Sequence, residues 1–424
     1  MGIAILWGLF FLLTATGIPL AFGIGLSPLL YTLWAGIPPT VVFQSIVSVN
    51  ESFTLLALPF FILAGELMVA GGMGRRIAAF AFAVMGWLPG GLAVITVLTC
   101  MIVSGMSGSA AADAAAVGSV MIPAMKEKGY DPRYAAAVVA AAGTIGVIIP
   151  PSIPMVLYAF VSGVSLADLF IAGIVPGILV GIALMICAYV IAVRRGYPIE
   201  RYVGTRQLLR TTAECLPALL APVVVLGGII TGVVTATESA VVAVVYACVV
   251  GFWIYGELKL SHIPAALVRT GEVTAVMMLI IGAGDALSWA LTVENFATVF
   301  AQWIVSFTRD LTVVLILINI FLLLLGLPMP LAPSLLLTVP ILLPVVTQLG
   351  MDPLHFGMVV ICNLAIGIAS PPVGNTLFIA AKLSRVSVEE TSRALVPFLA
   401  INVIVLMLIT YYPPFSLWLP RILG

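Results

Sequence analysis

Two stretches of this chain carry the small, oxygen-bearing residues that a hard monovalent cation or a small anion would need. The first is Ser104-Gly105-Met106-Ser107-Gly108-Ser109, followed at a distance by Gly143, Thr144, Gly146 and Pro150-Pro151-Ser152. The second runs from Gly326 through Pro328 to Ser334, followed by Asn363, Gly367, Ser370, Pro371-Pro372, Gly374, Asn375 and Thr376. Glycine and proline interrupt helices, and an interruption leaves carbonyl and N–H groups without intrahelical partners. The carbonyls suit Na+, while the N-terminus of a half-helix offers N–H groups and a positive dipole end to an anion. Na+ contacts are expected at Ser104, Gly105, Ser107, Ser109, Gly146 and Pro150, and at Gly326, Pro328, Gly367, Pro371, Asn375 and Thr376. Substrate contacts are expected at Ser107, Ser109, Pro151, Ser152, Asn375 and Thr376.

Four carboxylates stand in apolar surroundings: Glu66, Asp113, Glu238 and Asp285. Ionisable residues inside membrane spans are functional candidates. The alternative for each is a structural carboxyl that caps a half-helix or pairs with a partner, and for Glu238, in Thr-Ala-Thr-Glu-Ser-Ala, a cap is the favoured reading. Glu66 and Asp285 correspond to each other at an offset of 219 residues. No Lys or Arg falls in either candidate site, so an anionic substrate would rely on backbone N–H groups or on cations bound beside it.

Enzyme chemistry lacks its parts. No H-E-x-x-H, Walker loop or C-x-x-C-H is present, and no histidine neighbours a plausible nucleophile. The five cysteines (Cys100, Cys187, Cys215, Cys248, Cys362) are scattered in apolar sequence, where they pack as small hydrophobes. His262 and His355 are isolated. With no ATP-binding motif either, any work must be driven by an ion gradient.

The elements that position these residues belong to a membrane protein. Of 424 residues, 62% are hydrophobic and 8% are charged, against about 25% charged in soluble domains. At about 20 residues per spanning helix, the chain has room for roughly a dozen spans. Its 17 basic and 17 acidic residues cancel, which argues against a nucleic-acid partner and leaves the lipid bilayer as the surrounding medium. Met1 to Thr14 read as a retained first span.

An internal repeat sets the architecture. Shifting residues 105–176 by 221 positions superimposes Gly105, Gly129 and Gly146 on Gly326, Gly350 and Gly367, and five of six prolines on prolines. Each half therefore reads as one unit: a re-entrant helical hairpin, a Gly-x-Asp-Pro loop, and a helix broken at Pro-Pro. The hairpins are expected at about 90–125 and 311–346 and the broken helices at about 134–161 and 354–381. These lie in a first repeat over 1–193 and a second over 215–424, joined by a basic connector, 194–214.

Positive residues collect on the cytoplasmic side. Lys126, Lys128 and Arg133 follow the first hairpin, whereas 345–355 carries no Lys or Arg. Beyond the Pro-Pro break the bias reverses: 161–168 is bare, and its counterpart holds Lys382, Arg385 and Arg393. Equivalent loops thus fall on opposite sides, making the repeats inverted. Arg75, Arg76 and the cluster Arg194, Arg195, Arg201, Arg206 and Arg210 read as cytoplasmic, which places both termini outside. Segments near 38–50, 76–88, 258–270 and 294–308 read as interfacial arms. Inverted repeats with paired broken helices point to a transporter with its sites at the repeat interface.

The run Ser104-Gly-Met-Ser-Gly-Ser-Ala-Ala-Ala-Asp113, with Ile122-Pro-Ala-Met125, Gly129-Tyr-Asp-Pro132 and Ile148-Ile-Pro-Pro-Ser-Ile-Pro154, resembles the large membrane subunit of tripartite ATP-independent periplasmic (TRAP) transporters. Thr338-Val-Pro-Ile-Leu-Leu-Pro344, Pro371-Pro-Val-Gly-Asn-Thr376 and the Gly-Gly-Ile-Ile-Thr-Gly run from Gly227, followed by Thr237-Glu238, extend the likeness over essentially the whole chain. The second tip departs from it: members often carry an acidic residue near Met329 to Leu331, which is Met-Pro-Leu here. The resemblance implies an elevator-type Na+-coupled uptake transporter in a bacterial or archaeal cytoplasmic membrane. It also implies a separate small membrane subunit and a periplasmic binding protein that delivers a carboxylate such as a C4-dicarboxylate or sialic acid. A stand-alone ion-coupled transporter of similar architecture is the alternative.

Overall fold

The computed structural model describes residues 2–199, 204–296, 299–300, 302, 308 and 310–423. Among them the chain is helical, and its β structure is limited to an isolated bridge between Pro89 and Ile199. The helices of the first half are α1 (Gly2–Ala15), α2 (Leu20–Ala35), α3 (Thr40–Ser48), α4 (Ala57–Ala70), α5 (Met73–Met85), α6 (Gly91–Ser107), α7 (Ala110–Glu127), α8 (Pro132–Gly143), α9 (Ile153–Ser162) and α10 (Leu166–Arg194). Those of the second half are α11 (Thr205–Ile230), α12 (Ala236–Val249), α13 (His262–Val293), α14 (Leu311–Gly326), α15 (Leu331–Gln348), α16 (Pro353–Ala369), α17 (Asn375–Ser384), α18 (Val388–Tyr411) and α19 (Pro414–Leu423). Seven helices among the described residues are long and apolar enough to cross a bilayer.

Both expected hairpins form, as α6–α7 and α14–α15, and both helices break at Pro-Pro, as α8/α9 and α16/α17. The Gly-x-Asp-Pro signal works the same way twice. Asp131 and Asp352 are N-caps, each accepting the N–H two residues on, from Arg133 (2.9 Å) and Leu354 (2.8 Å). The proline that follows sits at the first helical position, where its missing N–H costs nothing. Residues Pro150-Pro151 and Pro371-Pro372 are joined by cis peptide bonds.

The halves interlock. Helix α17, beyond the second break, packs against α7 and α8 of the first hairpin unit, and α9, beyond the first break, packs against α15 of the second. Helix α8 is buried on every side, with Ala135 to Ala142 at most 1% exposed. A helix apolar all round belongs inside, and alanine lets its neighbours approach closely. Around this hairpin-bearing core, α13 runs along α2, α3, α4 and α15, while α4 packs on α12 and α11 on α5.

Charged ends meet across the halves. Arg133 pairs with Glu390 at 2.7 Å, and Lys126 Nζ donates to the carbonyl of Ser384 at 3.3 Å. At the other end of the broken helices, Tyr158 Oη donates to the carbonyl of Pro353 at 2.6 Å. The loops that meet are thus the non-equivalent ones: 126–133 beside 384–390, and the end of α9 beside the start of α16.

Several expected boundaries move. The connector is shorter than 194–214, because α11 starts at Thr205 and absorbs Arg206 and Arg210. An Arg210–Glu214 pair at i, i+4 (2.8 Å) supports that extension. The arm expected at 258–270 is not separate: from His262 it is the first part of α13, one continuous helix of 32 residues. Arg201 and part of the 294–308 arm lie outside the described residues, while α3 and α5 form the helices expected near 38–50 and 76–88.

Candidate functional site

The first tip is built on Gly108. Its φ of +60° ends α6 in the left-handed conformation that glycine adopts without penalty, and its N–H returns to the carbonyl of Ser104 at 3.3 Å. Ser109 then caps α7, accepting the N–H of Ala112 at 3.4 Å. The tip rests directly on the first break. The N–H of Ile153 donates to the carbonyl of Gly108 at 3.4 Å, and a Cβ on Gly108 would lie 2.8 Å from the carbonyl oxygen of Pro151.

Ser104 and Ser107 turn inward. Both donate to the carboxylate of Asp113, Ser104 Oγ reaching Oδ2 at 2.8 Å and Ser107 Oγ reaching Oδ1. Asp113 is fully buried, with Gly146 of the break and Ala110 so close that a Cβ on Gly146 would collide with both. A buried carboxylate needs hydrogen bonds to offset its lost hydration, and the two serines supply them. Gly105 backs onto Pro222 of α11. Ser152 Oγ spans the break to the carbonyl of Val147 at 2.6 Å.

The second tip carries less polarity. Ser334 Oγ and Ser370 Oγ both return to carbonyls four residues back, at 2.9 and 2.8 Å. Asn363 ties α16 to α14 by donating to Oδ1 and the carbonyl of Asn319, at 2.8 and 3.0 Å. Thr376 is buried, its hydroxyl donating to the carbonyl of Ile368 at 3.2 Å across the second break. Pro328 and Pro371 are exposed.

Between the tips lies a cavity of about 320 Å³. Of the residues expected to bind Na+ or substrate, Ser109, Gly326, Gly367 and Asn375 line it. Ser104, Gly105, Ser107, Gly146, Pro150, Pro151, Ser152, Pro328, Pro371 and Thr376 do not; several are engaged in holding tip and break together. The first residues of four helices open onto the cavity: Ser109–Ala111 of α7, Ile153 and Pro154 of α9, Leu331–Pro333 of α15, and Asn375 of α17. No Lys or Arg lines it. Sequence reasoning missed Val276, Met277 and Ile280 of α13, which close one wall. Nothing in their apolar run distinguishes them from lipid-facing residues.

The remaining carboxylates divide. Glu238 forms a capping box with Thr235: the Thr235 N–H donates to its carboxylate at 2.8 Å, and its own N–H donates to Thr235 Oγ1 at 3.2 Å. Glu66 of α4 pairs with Arg269 of α13 at 3.1 Å. Asp285, its counterpart in the repeat, has no such cation among the described residues and lines a small cavity of its own.

Comparison with known proteins completes the description. Residues 7–415 match the family described as "Tripartite ATP-independent periplasmic transporter, DctM component". The chain is 40% identical over 375 residues to the C4-dicarboxylate TRAP transporter large permease protein DctM of Pseudomonas aeruginosa, covering 88% of each. It is 39% identical over 411 residues to the isethionate TRAP transporter permease protein DctMQ of Oleidesulfovibrio alaskensis, covering 96% of this chain and 65% of that one. Among solved structures, the Alcanivorax borkumensis YdaH transporter, described as having an unusual topology, superposes with a TM-score of 0.65 over 90% of each chain. At 14% identity that likeness concerns the fold alone.

Proposed function

The chain belongs to the DctM component of the TRAP transporters, a family of membrane permeases and not of enzymes, and from that premise we propose that it is the large subunit of a Na+-coupled carboxylate uptake system. The cavity between the two tips carries the reading. Each helix N-terminus is equivalent to roughly half a positive charge, so four of them roughly balance the two charges of a dicarboxylate. An anion there needs no arginine. The apolar walls would take the carbon skeleton, with Ser109 and Asn375 left to orient it.

Na+ would bind at the two breaks beside this cavity, where carbonyl oxygens of Ser104–Ser109, Gly146 and Pro150, and of Gly326, Gly367 and Pro371, lie near the tips. The inverted arrangement of the repeats is supported by the ends of the broken helices. The basic 126–133 loop meets 384–390, while the end of α9 meets the start of α16, as repeats of opposite orientation require. Substrate and Na+ would then travel together as the hairpin-bearing core slides against α4, α12 and α13, an elevator motion that keeps both tips on one site.

The permease would act in the bacterial inner membrane with both termini on the periplasmic side. A small membrane subunit and a periplasmic binding protein would complete it. The DctMQ relative extends well beyond the match, which leaves room for such a second membrane component in its chain. The test is uptake into proteoliposomes holding both membrane subunits, with the binding protein and a panel of organic acids outside. Accumulation of one acid under an inward Na+ gradient is expected. Equal uptake in Na+-free buffer with no proton gradient would overturn the coupling.

A further inference from the structure

The two equivalent carboxylates of the repeat have diverged in their surroundings. Glu66 is neutralised by Arg269. Asp285 has no hydrogen bond or ion pair, and it faces a cavity of about 90 Å³ between α13, α9 and α15. An uncompensated carboxylate within a spanning helix is expensive, so the other walls of this cavity decide what it holds.

Those walls are acceptors. Phe160 and Val161 belong to the last turn of α9, where carbonyls have no following helical N–H and the dipole is negative. Leu336 lies four residues before Pro340 inside α15, so the N–H that would have met its carbonyl is missing. Ser288, one turn beyond Asp285, adds a hydroxyl oxygen. A carboxylate facing carbonyl dipoles is repelled unless a positive charge stands between them. A proton would satisfy a single oxygen pair and leave the cavity unfilled, whereas a small hard cation takes several oxygens at once.

A route reaches this point. A second cavity of about 100 Å³ shares Ser288 and Pro340 with the first and continues along α13 past Thr292 to Asn295. Asp285, Ser288, Thr292 and Asn295 fall at i, i+3, i+7 and i+10, so they form one polar stripe along the end of a helix otherwise suited to lipid. We propose that Asp285, with Ser288 and the carbonyls of α9 and α15, forms a Na+ site entered along this stripe. It is separate from the tips. Because it joins α13 to α9 and α15, a bound ion would fasten the hairpin-bearing core to its surroundings.

The experiment uses the large subunit purified with its small subunit. Bound radiolabelled Na+ is counted at saturation, and thermal stabilisation by NaCl is compared with choline chloride at equal ionic strength. Asp285→Asn is expected to lower the saturable count by one ion per large subunit. Ser288→Ala is expected to keep the count and weaken Na+ affinity about 2- to 10-fold, as befits one neutral contact. Ser107→Ala, at the first tip, should leave this ion bound. An undiminished count in Asp285→Asn would overturn the site, as would a wild-type complex stabilised by acid without Na+ specificity. Should Asp285→Asn fail to fold, unchanged Na+ affinity in Ser288→Ala overturns it. Loss of coupling in tip variants reads the proposed function separately, since it leaves this ion in place.

Discussion

Gly367→Ala and Gly326→Ala make the same chemical change on the two sides of one helix crossing, and their effects should differ in size. At this crossing the end of α16 presses on the end of α14. A Cβ on Gly367 would stand 2.7 Å from the carbonyl oxygen of Gly326, 2.9 Å from its carbonyl carbon and 3.0 Å from its Cα. All three are backbone atoms, so no rotamer relieves the contact and the helices must separate. A Cβ on Gly326 meets only the Cα of Gly367 and Leu364 Cδ2, both at 3.5 Å, which is ordinary contact. Overpacking of the first kind costs about 1–3 kcal/mol, and the gain in helix propensity, up to about 1 kcal/mol, is similar for both.

Gly326 and Gly367 line the central cavity, so separation there loosens the second tip. Amide exchange, followed by mass spectrometry over 326–334, reads that opening directly. Gly367→Ala should exchange roughly 5- to 150-fold faster than Gly326→Ala, the equivalent of about 1–3 kcal/mol. Equal exchange in the two variants, or faster exchange in Gly326→Ala, would refute the close crossing.

Asp113→Ala removes the acceptor from two buried hydroxyls and should destabilise the first tip by about 2–6 kcal/mol, with Asp113→Asn losing roughly half; proteolysis of the purified complex that matches wild type would contradict this. Thr235→Ala should cost about 1 kcal/mol through the lost cap while leaving the Na+ half-saturation of uptake unchanged, and a shifted half-saturation would give Glu238 an ionic role. Cysteines placed by Lys128→Cys and Met351→Cys should label from opposite faces of the membrane, and labelling from one face would dismiss inverted repeats. A crosslink between the tips at Ser107 and Pro328 should leave some transport, whereas one joining a tip to α4 should arrest it; full uptake with the core tied to α4 would exclude the elevator.

The local punctuation was legible in the sequence. Both hairpins, both Pro-Pro breaks, the Asp-Pro caps and the Thr235–Glu238 box depend on residues a few positions apart, where proline geometry and capping act within one turn. The repeat made each inference twice, which is why hairpin boundaries came within a few residues. Facing is another matter. Ser104, Ser107 and Ser109 look alike along the chain, yet only Ser109 reaches the cavity, because the buried charge of Asp113 draws the other two inward. Thr376 and Asn375 separate for a similar reason: one hydroxyl satisfies the carbonyl of Ile368 across the break, leaving its neighbour outward. Val276, Met277 and Ile280 enter the site only because α13 crosses both tips. Glu66 and Asp285 occupy equivalent places in the repeat, yet Arg269, some 200 residues from Glu66 in sequence, pairs with the first. Periodicity sets which residues share a helix face, but only packing between distant elements decides what that face meets.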